Sequence, residues 1–198
     1  MKHLQEIASR ISRGGAIVGG AMLLLTAITI CIDIVLRYAF SLTVGGADDL
    51  AGYALAISSA WGFSAALLSR SHIRIDTVYV RVPSRARATL DLISVACFTL
   101  FIGLVAWHGW GVLQQSYVSS SRSLSAIEMP LVIPQTLWFL GLAFFVAVAL
   151  LLLARALPAY LAGDLNKVFE LIGSKSAVAE AEEEIRATAQ AVDSERRS

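Results

Sequence analysis

Residues 129–154 read MPLVIPQTLWFLGLAFFVAVALLLLA and contain no Asp, Glu, Lys, Arg or His. A helix needs about 20 mainly apolar residues to cross about 30 Å of hydrocarbon, because each residue rises about 1.5 Å. This stretch is long and apolar enough to meet that requirement. It therefore predicts a membrane-spanning helix.

Three other stretches have the same character. Residues 14–32, 50–69 and 92–107 also contain none of these charged residues or His. We therefore predict an all-α integral membrane protein with four transmembrane helices in one domain, residues 14–157. The fourth span is expected to begin at Pro134, since Pro130 and Pro134 flank a stretch unsuited to one regular helix. The expected spans are about residues 14–37, 48–69, 88–115 and 134–157.

The composition agrees with a membrane location. Of the 198 residues, 57% are apolar and 16% are charged, and the mean hydropathy is +0.69. Soluble domains carry more charge, about 25% of their residues. The net charge of +1 is not concentrated on a basic face, which excludes a nucleic-acid partner. No cleavable signal peptide is expected, because the first apolar run is too long for one and is followed by Asp33 and Arg37.

Basic residues are distributed unequally between the two sides of the predicted bundle. One side has Lys2, Arg10, Arg13, Arg70, Arg74, Arg81, Arg85, Arg87, Arg155, Lys167 and Lys175. The other side has Arg37 and Arg122. Because basic residues are retained in the cytoplasm during insertion, both termini and the middle loop are predicted to be cytoplasmic.

The two ends of the chain are expected to differ from the spans. Within residues 1–13, apolar residues recur at three- and four-residue spacing, which fits an interfacial amphipathic helix and equally a helical extension of the first span. Residues 158–198 are more polar and are predicted to form a cytoplasmic tail. Inside the first span, Gly15 and Gly19 favour a close helix contact, either within the chain or with another subunit.

Two pairs of charged residues lie at the ends of spans. Asp33 and Arg37 are spaced i,i+4 near the end of the first span, and an ion pair is favoured there over an ion pathway. Asp48 and Asp49 follow a Gly-Gly pair and are expected at the N-terminus of the second helix. The helix dipole favours negative charge at that position.

The residues do not suggest an enzymatic site. The polar segments lack a Gly-rich phosphate loop, paired catalytic carboxylates, a zinc pattern and a nucleophile elbow. The central parts of the spans contain no carboxylate to act as a proton switch, and His108 is the only histidine within a span. A haem anchor generally needs two axial ligands. Cys31 and Cys97 lie in apolar runs, which favours packing over a disulfide or metal site. We therefore expect no enzyme activity, cofactor or metal.

Several of these features together resemble the small membrane subunit of tripartite ATP-independent periplasmic (TRAP) transporters, the DctQ-like family. They are the charged end of the first helix at residues 33–38, the acidic start of the second at 48–50, the segment from Gly62 to Asp76 and the proline-containing start of the fourth helix. The resemblance implies a bacterial inner-membrane protein with a large membrane subunit as its partner, which carries the substrate and sodium sites. It also implies a periplasmic binding protein that delivers an organic acid. The small subunit is then a non-catalytic scaffold, with membrane lipids as further partners.

Two surfaces are candidates for contacts with these partners. His72, Arg74 and Asp76, in the middle loop, are expected to bind another subunit or lipid headgroups, or only to orient the helix. Arg122 and Glu128, in the loop before the fourth span, are candidates for docking the binding protein. Two other functions stay open at this point: a self-contained homo-oligomeric channel or exporter, and a membrane anchor of a redox complex.

Overall fold

The structure, a computed structural model, describes residues 2–69 and 82–173. Within these ranges the helices are α1 (Lys2–Phe40), α2 (Ala47–Ser69), α3 (Ser84–Val118), α4 (Val132–Leu161) and α5 (Leu165–Ile172). By length and composition, α1 to α4 can each cross a membrane. The prediction of an all-α membrane protein with four spans is confirmed.

The helices extend beyond the apolar runs from which they were predicted. α1 is continuous from Lys2, so residues 2–13 prolong the first span, and α3 covers 84–118 where 88–115 was expected. The expected bounds followed hydropathy, whereas helical hydrogen bonding continues into polar residues that flank a span. Whether residues 1–13 lie at a membrane interface stays a prediction.

The start of α4 differs from the expectation that Pro134 opens the helix. α4 begins at Val132, which places Pro134 in its first turn. The first four N–H groups of a helix have no partner within it, so a proline there removes no hydrogen bond. Val132 and Ile133, which precede Pro134, therefore belong to the helix, and α4 begins two residues before the expected start at about Pro134.

The first part of the expected polar tail is folded. α4 continues past residue 158 to Leu161, and the chain then turns at Gly163, whose φ is +78°. Asp164 caps α5 by accepting a hydrogen bond from the Lys167 backbone N–H at 3.1 Å. Val168 and Ile172, which share a face of α5, are both buried in the core. An apolar helical face thus holds this segment on the bundle, while residues 174–198 lie outside the described residues.

The order of the helices in space differs from their order in the chain. α2 and α3 each pack on α4, and α5 packs on α4 and α3. Three rings, Phe63 of α2, Phe98 of α3 and Phe145 of α4, meet edge to face with centroids 5.2–6.4 Å apart. Among the described helices, α1 packs extensively on α2 alone. α2, α3 and α4 therefore form the core, and α1 lies at the periphery.

Small residues bring α1 close to α2. A Cβ atom at Gly19 would lie 2.8 Å from the Ser58 Cβ, and one at Gly15 would lie 2.6 Å from the Trp61 ring. The Trp61 Nε1–H also donates to the Leu137 carbonyl at 3.1 Å, and its ring stacks on another ring of α4 at 5.8 Å. Trp61 therefore connects all three of these helices. Of the two alternatives for the glycine pair, the structure shows a contact within the chain.

Candidate functional site

Asp33 lies near the end of α1 and organises the loop that follows it. Its carboxylate accepts hydrogen bonds from the Arg37 Nη2 at 2.7 Å, the Thr43 Oγ1 at 2.9 Å and the Val44 backbone N–H at 2.7 Å. Asp33 is only 4% exposed, so these three donors replace the water that its charge would otherwise bind. The ion pair expected from the i,i+4 spacing is confirmed. The two contacts to the loop were not expected from the sequence.

The loop after α1 contains two glycines whose backbone geometry matters. Gly45 and Gly46 have φ values of +64° and +84°, in the left-handed region that favours glycine. A Cβ at Gly46 would lie 2.7 Å from the Ile127 Cδ1, and one at Gly45 would lie 3.0 Å from the Ala126 Cβ. The glycines thus allow this loop to turn and to lie directly against the loop between α3 and α4.

The loop between α3 and α4 is closed by its own backbone. The Ser123 N–H donates to the Met129 carbonyl at 2.9 Å, and the Leu131 N–H donates to the Ser121 carbonyl at 3.0 Å. Between these bonds, residues 122 and 130 form an isolated antiparallel bridge. We name residues 41–46 and 119–131 together the loop cap.

Asp49 joins the start of α2 to the loop cap through a side-chain hydrogen bond. It lies in the first turn of α2, and the Ser123 Oγ–H donates to its carboxylate. Ser123 is buried, and its hydroxyl lies 2.8 Å from that of Ser125. Asp49, which was expected at the helix N-terminus because of the helix dipole, therefore also binds a residue 74 positions away in the chain. Sequence reasoning missed Ser123 because no local pattern distinguishes it from the serines around it.

Asp48 is exposed to solvent, unlike the adjacent Asp49, which is partly buried. Asp48 also lies in the first turn of α2. Within residues 2–69 and 82–173 it has no hydrogen-bond or ion-pair partner. Its charge is nevertheless favourable there, because the N-terminus of a helix carries a partial positive charge.

The two residues predicted to dock a binding protein lie together on the loop cap. Arg122 and Glu128 are both exposed, and the Arg122 Nη1 is 3.4 Å from the Glu128 carbonyl oxygen. Leu124, at the tip of the same loop, is 106% exposed. Leu124 therefore presents apolar surface on the same loop as Arg122 and Glu128. Sequence reasoning did not select it, because exposure of one leucine in a loop has no sequence signal.

The third predicted group, His72, Arg74 and Asp76, lies outside the described residues. In the part of the chain that the structure describes, no group of three or more His, Cys, Asp or Glu side chains is placed to hold a metal ion. Cys31 and Cys97 are both free and exposed.

Five hydroxyl groups of the spans bond within their own helices. Thr26, Thr29, Ser58, Ser64 and Thr99 each donate to the carbonyl of the residue three or four positions earlier, at 2.6–3.0 Å. Such bonds satisfy the hydroxyl donor locally in an apolar environment. These five groups therefore do not need a polar partner from another helix.

The loop cap lies within the part of the chain that resembles known proteins. The family model described as "Tripartite ATP-independent periplasmic transporters, DctQ component" matches residues 26–159, which is well over half of the chain. The chain belongs to the DctQ family. A DctQ protein is the small component of a TRAP transporter, so the resemblance seen in the sequence is confirmed. No curated protein and no solved structure gave a match.

The match assigns this DctQ protein to a transport system in the membrane. It begins within α1 and ends within α4, and so includes Asp33, Asp49 and both parts of the loop cap. The N-terminal part of α1 and the whole of α5 lie outside it. The contacts that fix the loops therefore belong to the family region, whereas the opposite end of the bundle includes segments that the family model does not cover.

Proposed function

We propose that this DctQ chain is the non-catalytic scaffold of its TRAP transporter. It supports the large membrane subunit during sodium-coupled uptake of an organic acid that a periplasmic binding protein delivers. A transport domain that moves across the membrane needs a fixed framework against which to move. The small subunit supplies part of that framework.

The observation that carries this proposal is the peripheral position of α1. Its outward surface exposes a continuous series of apolar side chains, among them Ile17, Val18, Leu24, Leu25, Ile28, Ile32 and Val35, each at least 49% exposed. Only 6% of the most apolar 18-residue segment of α1 is buried inside the chain. A span with so little internal contact has most of its surface available to a second membrane protein or to lipid.

The position of α1 is nevertheless fixed, as a scaffold requires. At one end Asp33 binds the loop that leads into α2, and in the middle Gly15 and Gly19 lie against α2. Trp61 then connects this interface to α4. Contacts at two depths restrain both sliding and tilting of α1, so a partner that binds its outer surface meets a rigid helix.

The alternative of a self-contained channel or exporter receives no support from five of the hydroxyl groups in the spans. A polar pathway requires side chains whose hydrogen-bonding groups face a common space. The mid-span hydroxyls named above donate to their own helices instead. This argument favours a supporting role over a transport path through this chain.

Reconstitution tests the scaffold role. The tagged chain, purified from its native membrane in mild detergent, is expected to retain a large polytopic subunit in stoichiometric amount. Liposomes with both subunits and the binding protein should take up organic acid when a sodium gradient is applied. Liposomes with this chain alone should not. Uptake by the chain alone, as a homo-oligomer, would reject the proposal in favour of a channel or exporter.

We place the loop cap in the periplasm and both termini in the cytoplasm of the inner membrane, following the distribution of basic residues. Leu124→Cys and Ala162→Cys give a matched pair, because both positions are exposed and they lie at opposite ends of the bundle. In a background without Cys31 and Cys97, a membrane-impermeant maleimide should label Leu124→Cys in spheroplasts. Ala162→Cys should react only after the membrane is permeabilised; the reverse pattern refutes this orientation.

The exposed pair on the loop cap is the proposed docking point for the binding protein. Reversing both charges, with Arg122→Glu and Glu128→Lys, should lower uptake when the binding protein is limiting and leave uptake unchanged when it is saturating. This dependence separates docking from a general defect in the transporter. If the double variant takes up as much substrate as the wild type at both concentrations of binding protein, the contact is excluded.

The middle-loop residues His72, Arg74 and Asp76 are proposed to contact the large subunit or lipid headgroups. Replacing all three with alanine should reduce recovery of the large subunit in the pull-down, or reduce transport in membranes of defined lipid. Unchanged recovery and transport would leave these residues with only an orienting role.

A further inference from the structure

We propose that the end of the bundle opposite the loop cap binds one anionic phospholipid, with its phosphate among basic side chains and an acyl chain in an adjoining apolar groove. The site involves parts of α1 and α5 that lie outside the family match. It does not depend on the scaffold role, and its test does not require the transporter.

The phosphate site is a cleft between α1, α4 and α5, which we name the basic cleft. Its volume is about 680 Å³, within the range of about 300–1,000 Å³ that is usual for ligand sites. The charged side chains that line it are Glu6, Arg10, Arg13, Arg155, Lys167 and Glu170. The cations therefore exceed the carboxylates by two, and an anion is the ligand that this excess favours.

Arg155 gives the basic cleft a specific donor. Its Nη1 atom is buried and has no hydrogen-bond partner within residues 2–69 and 82–173. A buried guanidinium nitrogen without an acceptor is unfavourable, because its charge has lost water and gained no partner. Arg155 also lines the cleft, so a rotation of its guanidinium group would bring this nitrogen to a phosphate oxygen there, and guanidinium groups suit phosphate geometry well.

The depth of the cleft matches that of lipid headgroups. Arg13 directly precedes the charge-free run of α1, which begins at Gly14, and Arg155 directly follows the charge-free run of α4, which ends at Ala154. Both arginines therefore lie where the hydrocarbon is expected to give way to the polar interface. Cations at this level attract anionic lipids by about one kcal/mol each in general.

A second groove of about 560 Å³ adjoins the basic cleft, since Ser9 and Arg13 line both. From there it follows the α1–α2 contact between Ala16, Ile17, Ala65 and Leu68. These four apolar side chains suit an acyl chain and do not suit a free phosphate ion, and the other lining residues, Ser9, Ser12, Arg13 and Ser69, are polar. Ser12, which is 1% exposed, also lines the groove, and its hydroxyl has no partner among the described residues. A lipid ester oxygen near the headgroup is the matching acceptor.

Native mass spectrometry of the purified full chain in mild detergent tests this site. Phosphatidylglycerol is titrated against phosphatidylcholine with the same acyl chains, and glycerophosphoglycerol provides the headgroup without acyl chains. We expect phosphatidylglycerol to bind in a one-to-one complex and more tightly than either of the others. Equal binding of the two lipids would overturn the proposal. Equal binding of glycerophosphoglycerol would replace it with a soluble-anion site.

Variants locate the site. Arg13→Gln with Arg155→Gln should weaken phosphatidylglycerol binding by about 30-fold, since each cation near the interface contributes roughly fivefold. Ala65→Phe, which fills the groove, should weaken the lipid but not its soluble headgroup. Arg85→Gln, which removes an exposed cation that does not line the basic cleft, is the matched control and should leave the affinity for phosphatidylglycerol unchanged.

A folding defect is separated from a binding defect by Arg10→Gln. Arg10 is exposed, so its replacement leaves the packing intact while removing one cation of the cleft. It should weaken phosphatidylglycerol by roughly fivefold, with an unchanged melting temperature in detergent without lipid. Wild-type affinity in both Arg10→Gln and the double variant would refute the basic cleft as the lipid site.

Discussion

The approach of α1 to α2 at Gly19 predicts that one added methyl group destabilises the bundle. The Cβ of Gly19→Ala would lie 2.8 Å from the Ser58 Cβ and 2.9 Å from the Ser58 Cα, which is part of the backbone and cannot rotate away. Gly20 is the matched control. Among the described residues, no heavy atom of a neighbour lies within 4 Å of a Cβ built there.

The size of the effect follows from this geometry. Carbon atoms in contact are about 3.5–4.0 Å apart, so α1 and α2 must separate locally by about 1 Å. Overpacking of this kind costs about 1–3 kcal/mol. Replacing glycine with alanine inside a helix also gains about 0.5–1 kcal/mol, and this gain applies equally to both variants. The free energy of unfolding should therefore be lower for Gly19→Ala than for Gly20→Ala by about 1–3 kcal/mol.

Thermal unfolding of the two variants in the same mild detergent measures this difference. A chain of this size changes its melting temperature by about 2–4 °C per kcal/mol, so Gly19→Ala should melt about 2–12 °C below Gly20→Ala. It should also bind the large subunit less well, because the outer surface of α1 has moved. Equal melting temperatures, or a higher one for Gly19→Ala, would refute the close contact between α1 and α2.

Three further predictions concern other contacts. Asp33→Ala should lower the melting temperature and increase proteolysis of the loop cap, whereas Asp48→Ala should do neither to the same extent; equal sensitivity would contradict the assigned role of Asp33. Trp61→Phe removes one interhelical hydrogen bond and should lower the free energy of unfolding by about 0.5–1.5 kcal/mol, as measured by denaturant titration in detergent. Val168→Ala should release α5 from the bundle, seen as faster amide hydrogen exchange in 165–172, while the exposed Leu161→Ala should not change that exchange.

The membrane-spanning character of the chain could be predicted with little information. Hydropathy and length are local properties, and a segment of 26 residues without charge has few stable alternatives to a helix across the membrane. The family resemblance was also visible in local features, namely the charged ends of the first two helices and the proline before the fourth. These features depend on neighbours in the chain, which the sequence displays directly.

The limits of the helices were harder to predict, and their errors share a cause. The fourth span was expected to begin at about Pro134, but α4 begins at Val132, because in the first turn of a helix the missing N–H of a proline removes no hydrogen bond. Residues 165–172 were expected to be part of a polar tail, yet Val168 and Ile172 are buried on one face of α5. In both cases the composition of the segment suggested that the helix stops, whereas the position of each residue along the helix decided whether it could be part of the helix.

The contacts of the candidate site depended on the tertiary structure. The sequence by itself determined four spans, the charges at their ends and the ion pair of Asp33 with Arg37. Only the fold brought Asp49 to Ser123, 74 residues away, and Trp61 to the Leu137 carbonyl, 76 residues away. In lipid the hydrophobic effect does not select which helices meet, so close packing and hydrogen bonds make that choice. Those interactions depend on shape in three dimensions, and the apolar pattern of the sequence does not encode it.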